Sequence, residues 1–419
     1  MAHYSAMFFS APKDNRFKQV STLVVKVTHR CNLDCQYCYE FITQKGEDMS
    51  EQTFRQLADR VLENSEQKVI TFLFHGGEPT LIANSWYEQG INYVLKKAKQ
   101  KQQEIRFSMQ TNLIHLPDEK IQLFKTYNIQ PGVSLDGTAD APDSMRGRES
   151  RVFQNFLKLK QAGISCGILT TINHSNYQRF EQICKFLVEQ AQVHHFKANV
   201  VTSVGAGYNL AGLKAEQIFE AQRAILEYMI ETKGQKLTEH NLVTEIERFF
   251  TSAEDQHTLP PTLCHEKQCG AGKSVLGVTP KGELLPCGRF QWNDTDYFLG
   301  DIHTKRSAST FQQLEEKVDS FHTLVPESWY DCDQCPAQKI CMYGCQAFIV
   351  RSKNKANVDC LPTKMRFAYY EANRTRLWPV YKAITAQKQG MLPFRIKSGN
   401  GHKQYVLHPA NQTAYVMAD

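Results

Sequence analysis

The sequence lacks the features that would place the protein in a membrane, outside the cell or on nucleic acid. Its apolar runs are far shorter than the roughly 20 residues that span a bilayer. Residues 1–5 contain no basic segment followed by an apolar one, so a secretory signal is not predicted. The net charge of +6 over 419 residues is modest, and no dense basic run alternates with aromatic residues. We therefore expect a cytoplasmic globular protein with no nucleic-acid or membrane partner.

Cysteine, by contrast, is abundant. Without a predicted secretion signal, 13 cysteines favour metal or redox chemistry over disulfides. Cys31, Cys35 and Cys38 follow the apolar run 23–27, which predicts a buried strand. Their spacing lets one loop place thiolates at three corners of an iron–sulfur cube, which normally takes four cysteines. No fourth cysteine lies nearby in the sequence, so one iron would stay open to bind a substrate, as at a catalytic zinc.

This C-x-x-x-C-x-x-C loop resembles the signature of the radical S-adenosylmethionine (radical SAM) enzymes. In that family the open iron of a [4Fe-4S] cluster binds S-adenosylmethionine and passes it one electron. Cleavage then gives a 5′-deoxyadenosyl radical, which abstracts hydrogen from an unactivated carbon. The resemblance implies an oxidoreductase. A zinc site and ordinary buried thiols are the alternatives that the three cysteines leave open.

Residues 20–201 alternate short apolar runs with helical patterns, which predicts six strand–helix units and a parallel sheet. We expect an α/β fold, a partial (β/α)6 TIM-like barrel. Polar motifs follow the strand ends, where barrel active sites are built. The predicted strands are 23–27, 69–74, 105–109, 131–135, 167–172 and 196–201.

The turn after the second strand contains Gly76, Gly77 and Glu78. The glycines would let a ligand approach the backbone closely, and the carboxylate suits an ammonium group. The resemblance implies that this turn binds the amino group of S-adenosylmethionine, while other residues hold its ribose, carboxylate and adenine or line the site. A turn residue or surface ion pair is the alternative for each. Those other residues are Ser134 and Arg146 (ribose and carboxylate), Tyr37 (adenine), and Asn112 and Asp136 (lining).

A second group of cysteines lies in the C-terminal half. Its order and spacing resemble the SPASM domain, which extends radical SAM enzymes that mature peptides and holds two auxiliary [4Fe-4S] clusters. Two zinc knuckles are the alternative, and in either case the segment should need its metal to fold. The resemblance assigns to one cluster Cys264, Cys269, Cys287 and Cys345. It assigns to the other Cys332, Cys335, Cys341 and Cys360.

The pattern divides the chain into five parts. The last one is expected to contain a helix and short strands at 394–397, 404–408 and 413–417. The parts are an N-terminal arm (1–20), the barrel (21–210), a helical connection (211–260), the SPASM domain (261–365) and a C-terminal part (366–419).

The position after Cys287 bears on the reaction. Anaerobic sulfatase maturases, which this sequence also resembles, carry there an aspartate that acts as base in forming formylglycine, whereas this chain has Gly288. The pattern is more similar to maturases that join an aromatic ring to a β-carbon of a ribosomal peptide, giving a cyclophane. We expect a precursor peptide with a leader, and an electron donor such as flavodoxin or ferredoxin, as partners. The alternatives are a sulfatase maturase and a non-catalytic iron–sulfur carrier or scaffold; the sequence does not identify the base.

Overall fold

The computed structural model describes most of the barrel and parts of the C-terminal half. Cys264 and the predicted boundary between the helical connection and the SPASM domain, at 260–261, lie outside the described residues. These are 14–40, 46–141, 144–252, 254–255, 269–304, 308–323, 332, 334–341, 344–352, 357–389, 394–398, 401–407 and 414–416.

The barrel is built on one mixed sheet, whose strands lie in the order β7-β6-β5-β4-β3-β2-β1-β8-β9. All neighbouring pairs are parallel except β8–β9. The six predicted strands are therefore confirmed as a parallel series, whereas β7, β8 and β9 extend it beyond the prediction. The strands are β1 Thr22–Thr28, β2 Val69–Gly76, β3 Glu104–Thr111, β4 Gln130–Ser134, β5 Gly167–Ile172, β6 His195–Val200, β7 Thr238–Glu239, β8 Val275–Val278 and β9 Leu284–Leu285.

Helices connect these strands and cover the sheet because each presents an apolar stripe to it. In the first helix, for example, Phe54, Leu57 and Val61 are fully buried, and Ser50 caps the N-terminus by accepting a hydrogen bond from the Thr53 amide. The barrel helices are α1 Glu51–Asn64, α2 Asn84–Lys101, α3 Asp118–Thr126, α4 Glu149–Gln161 and α5 Phe180–Glu189. The predicted helical connection contains α6 Ala215–Glu231 and α7 His240–Phe250.

The C-terminal half packs on this frame through buried polar contacts as well as apolar ones. Arg366 forms an ion pair of 2.5 Å with Glu245 of α7, and both side chains are almost fully buried. Three short strands follow, as the alternating pattern predicts, and they form one antiparallel sheet. In the part that the structure describes, no helix could cross a bilayer. The elements are α8 Ala308–Thr323, α9 Gln346–Arg351, α10 Cys360–Ala372, α11 Arg374–Gln389, β10 Phe394–Ser398, β11 Gly401–Leu407 and β12 Ala414–Val416.

Candidate functional site

The loop after β1 brings its three cysteines to the carboxyl end of the sheet. Cys31, Cys35 and Cys38 line one cavity of about 140 Å³. Most of the residues predicted to contact S-adenosylmethionine line the same cavity, although they come from four different strand ends. These are Tyr37, Gly76, Gly77, Glu78, Asn112, Ser134 and Arg146.

Gly76, the last residue of β2, and Gly77 after it allow close contacts within the chain. The amides of Gly77 and Glu78 donate to the carbonyls of Thr28 and Arg30, each at 2.8 Å. A Cβ on Gly76, whose φ is +114°, would lie 2.3 Å from the Thr28 carbonyl oxygen, and one on Gly77 would lie 2.0 Å from that of Arg30. The group that approaches these glycines is thus the backbone leading into the cysteine loop, which the sequence did not predict.

Glu78 is fully buried and held in one orientation. Its Oε1 accepts hydrogen bonds from the amide and hydroxyl of Thr80 and from the Thr111 hydroxyl, while Oε2 accepts one from the Asn112 amide at 2.6 Å. Because a carboxylate oxygen can accept a second bond, Oε2 can also receive an ammonium N–H. Asn112 also lies beside the cysteine loop, since its Nδ2 is 3.6 Å from the Cys31 sulfur.

A buried polar network lies behind the other wall of the cavity. The Tyr37 hydroxyl donates to Asp136, whose other oxygen accepts from the Thr171 amide at 2.8 Å. Asp136 therefore supports Tyr37 from behind and lines a separate cavity of about 150 Å³, which differs from the expected lining role. Burial, and then the nearby Asp136, raise the pKa of Glu149 to about 7. Among the described residues, Nε of Arg146 is buried without a hydrogen-bond partner.

Burial disfavours the charged form of the thiols in this loop. Burial raises the pKa of Cys35 to about 11 and, together with Glu40, that of Cys38 to about 12. No group of three or more His, Cys, Asp and Glu side chains in the described ranges is close enough to hold a single metal ion. The thiols instead surround a space, and an iron–sulfur cluster in it would displace their protons. The donor set fits such a cluster, and the orphaned Arg146 N–H fits the carboxylate of S-adenosylmethionine.

A second cavity, of about 480 Å³, adjoins the first. Cys269, Cys287 and Cys345 line it, and Asn199, Arg289 and Phe348 belong to both cavities. The Arg289 guanidinium lies 5.1 Å from the Tyr39 ring centre and 4.5 Å from that of Phe348, so this group marks the passage between them.

The four cysteines of the second predicted ligand set, Cys332, Cys335, Cys341 and Cys360, lie in two segments. The Cys335 amide donates to the Cys332 carbonyl, and Cys341 follows in the same run of turns. Cys360 opens α10, and burial raises its pKa with a contribution from Cys335. Cys335 thus lies near Cys332 and Cys360, and the second ligand set as a whole stays a prediction.

Several residues of the site were not predicted. Lys26, in the middle of β1, forms a buried ion pair with Glu40 at 2.6 Å. Nδ1 of His75 accepts the Gly76 amide at 2.7 Å, so the neutral ring carries its proton on Nε2, which lies 3.1 Å from the Tyr39 hydroxyl. Burial lowers the pKa of His75 to about 4. The one feature of the sequence that could have indicated the Lys26 ion pair is a lysine within an apolar run, because its partners are distant in sequence.

Comparison with known families and relatives gives a consistent result. The family described as the radical SAM superfamily matches residues 25–187. A cysteine-type anaerobic sulfatase-maturating enzyme of Clostridium novyi is 29% identical over 186 residues, which are 41% of this chain and 49% of that protein. The antilisterial bacteriocin subtilosin biosynthesis protein AlbA of Bacillus subtilis is 26% identical over 341 residues, 78% of this chain and 67% of that protein. The match thus spans about half of the first relative.

The fold is also similar to solved structures. The structure titled native anSMEcpe with bound AdoMet and Kp18Cys peptide has a TM-score of 0.70 and 18% identity. The alignment covers 86% of this chain and 99% of that one. At this identity the likeness establishes the fold, including the part beyond the barrel.

Proposed function

We propose that this chain, whose residues 25–187 match the radical SAM superfamily, is a maturase that removes hydrogen from a ribosomally made precursor peptide and cross-links it. The observation that carries the proposal is the shared cavity. Three cysteines with no fourth ligand in their loop, a buried carboxylate at Glu78 and the orphaned N–H of Arg146 all face one space.

Each group has a defined task in that space. Cys31, Cys35 and Cys38 would hold a [4Fe-4S] cluster, and Glu78 and Arg146 would bind the amino and carboxylate groups of S-adenosylmethionine. When bound, these cofactors supply a 5′-deoxyadenosyl radical that abstracts hydrogen. Glu78 and Arg146 would hold the two ends of the ligand in one orientation, in a cavity that adjoins the passage at Arg289 and Phe348.

The larger cavity is suited to the peptide. It opens from the S-adenosylmethionine cavity through shared residues, so a peptide carbon there can reach the radical. Cysteines on its wall would hold an auxiliary cluster, and Cys332, Cys335, Cys341 and Cys360 a second one. These clusters would accept the electron that cross-linking releases. The relative named for bacteriocin biosynthesis supports a peptide substrate. A flavodoxin or ferredoxin would supply the first electron.

A sulfatase maturase is the second candidate, since one relative bears that name. The packing around Gly288 favours the first candidate. A Cβ at Gly288 would lie 2.5 Å from Cγ1 of Val24, so β1 occupies the place of a side chain. The aspartate that the sulfatase reaction needs there is absent, and the surroundings leave it no room without a shift of Val24.

Co-expression tests this choice. The chain is produced anaerobically with the peptide encoded by a short reading frame beside its gene or, separately, with a sulfatase-motif peptide, and both peptides are analysed by mass spectrometry. We expect the first peptide to lose two hydrogens per cross-link, as a cyclophane requires, and the second to remain unchanged. An aldehyde on the sulfatase-motif peptide would reverse the ranking.

A further inference from the structure

The side chain of Lys26 joins two cysteine-bearing segments that are far apart in sequence. Its Nζ lies 2.6 Å from Oε1 of Glu40 and donates to the Phe290 carbonyl at 2.5 Å. Glu40 ends the loop that carries Cys31, Cys35 and Cys38. The lysine and glutamate side chains are 0% and 3% exposed, so both charges lie in the protein interior.

The second segment is the turn that begins at Cys287. The Phe290 amide donates to the Cys287 carbonyl, and Phe290 packs in the apolar cluster that Cys269, Cys287 and Cys345 border. Val24 contacts the same turn at Gly288. Since alternate residues of a strand share a face, Val24 and Lys26 present one face of β1 to this turn. A single amine therefore fixes the turn of one cluster site against the loop of the other.

The charges of this pair act on the groups around the cysteine loop. Glu40 lines the same cavity as Cys38, and the charges of Glu40, Lys26 and Arg289 act on the His75 ring in its wall. His75 is neutral at physiological pH because burial lowers its pKa to about 4. Lys26, Glu40 and Arg289 thus act on the His75 side of the cavity wall, whereas Glu78, Arg146 and Asp136 act on Cys31 and Cys35.

A buried ion pair is a poor way to stabilise a fold. Desolvation of two charges offsets most of their attraction, and an apolar pair of similar size would stabilise a strand as well or better. Buried charges do, however, act strongly on neighbouring redox centres, because the potential of an iron–sulfur cluster depends on local charge and hydrogen bonding. Glu40 lies two residues beyond Cys38 and Lys26 is 2.6 Å from it, a position that suits that role.

We propose that Lys26 positions the two cluster-bearing segments against each other and that the Lys26–Glu40 pair sets the reduction potential of the cluster held by Cys31, Cys35 and Cys38. The inference rests on the iron–sulfur sites of the proposed function. With the lysine removed, Glu40 remains as an uncompensated buried anion and disfavours the added electron. With the glutamate neutralised, the lysine cation favours the addition of an electron to the cluster.

The test is a potentiometric titration of the anaerobically reconstituted full chain, followed by electron paramagnetic resonance. The signal that changes when S-adenosylmethionine is added identifies the cluster in question. We expect Lys26→Met to lower its midpoint potential and Glu40→Gln to raise it, with the double variant close to wild type. Arg16→Met is the matched control. Arg16 makes the same two kinds of contact: an ion pair of 2.6 Å with the buried carboxylate of Asp14, and a hydrogen bond of 2.8 Å to the Leu299 carbonyl. It precedes β1 and so lies at the opposite end of that strand from the cysteine loop.

Opposite shifts in the two single variants cannot arise from a purely structural role, which would move both potentials the same way. Shifts of the same sign, or shifts no larger than that of Arg16→Met, would overturn the proposal. If the Lys26→Met protein does not retain its iron, the Glu40→Gln variant alone decides the proposal. A raised midpoint potential in that variant supports it, and a lowered one overturns it. If addition of S-adenosylmethionine changes no cluster signal in the wild type, that result would instead count against the proposed function.

Discussion

Replacement of Arg146 by methionine should weaken the binding of S-adenosylmethionine and leave the cluster in place. Arg146 lines the same cavity as the three cysteines, and its Nε has no hydrogen-bond partner among the described residues. A buried guanidinium N–H with this geometry is suited to a ligand carboxylate. Methionine keeps much of the apolar stem of the side chain and removes all of its donors.

The magnitude follows from the kind of contact that is lost. A hydrogen bond to a charged group contributes about 1.5–3 kcal/mol, and each 1.4 kcal/mol corresponds to a tenfold change in affinity. We therefore expect the dissociation constant to rise by roughly 10- to 150-fold. Arg146→Lys should lose less, because lysine keeps the charge but not the planar fork of donors.

Equilibrium dialysis of radiolabelled S-adenosylmethionine against anaerobically reconstituted protein gives the affinity, and iron analysis of the same samples reports the cluster. The control is Arg179→Met, which removes the same charge from the neighbouring cavity that Asp136 lines. An Arg146→Met protein with full iron and wild-type affinity would refute the assignment of this residue.

Three further predictions concern metal content, pH and the C-terminal sheet. The reconstituted chain should hold about twelve irons, as three four-iron clusters require, and alanine at Cys31, Cys35 and Cys38 should remove about a third of them; stoichiometric zinc in anaerobically purified protein would contradict this. Burial and Asp136 raise the pKa of Glu149 from 4.5 to about 7, so the unfolded chain releases this proton first and stability should fall as pH rises through that window. Glu149→Gln should flatten that dependence in thermal melts, and an unchanged slope would speak against the raised pKa. Truncation after Gly390 removes the sheet β10–β12, whose edge strands can pair with a leader peptide, and should weaken precursor binding in fluorescence titrations while sparing cleavage of S-adenosylmethionine. Unchanged precursor affinity would leave the sheet a structural role only.

The sequence predicted the barrel because its six main strands are near-continuous apolar runs followed by polar motifs. It missed β7 and β9 because two residues are too few for a periodic pattern, and β8 has only four. These strands form through pairing with a sheet that already exists. Their addition places the turn after Cys287 against β1, on which the second cavity depends.

The site was predictable where its chemistry resides in one short segment. The cysteine loop and the turn at Glu78 are of this kind. The partners of Lys26 are not, since the Phe290 carbonyl that it binds is 264 residues away. Similarly, Asp136 follows a strand as expected, yet it binds the Tyr37 hydroxyl and lines the neighbouring cavity. Such differences arise from long-range packing, which spacing along the chain does not encode.

Cleavage of S-adenosylmethionine by the reduced protein tests the central claim most directly. The reconstituted chain is incubated anaerobically with dithionite and S-adenosylmethionine, and 5′-deoxyadenosine is quantified by liquid chromatography and mass spectrometry. We predict that the wild type forms 5′-deoxyadenosine and that the variant with alanine at Cys31, Cys35 and Cys38 forms none. A wild-type protein with its full iron content that leaves S-adenosylmethionine intact would contradict the account and indicate an electron carrier or scaffold instead.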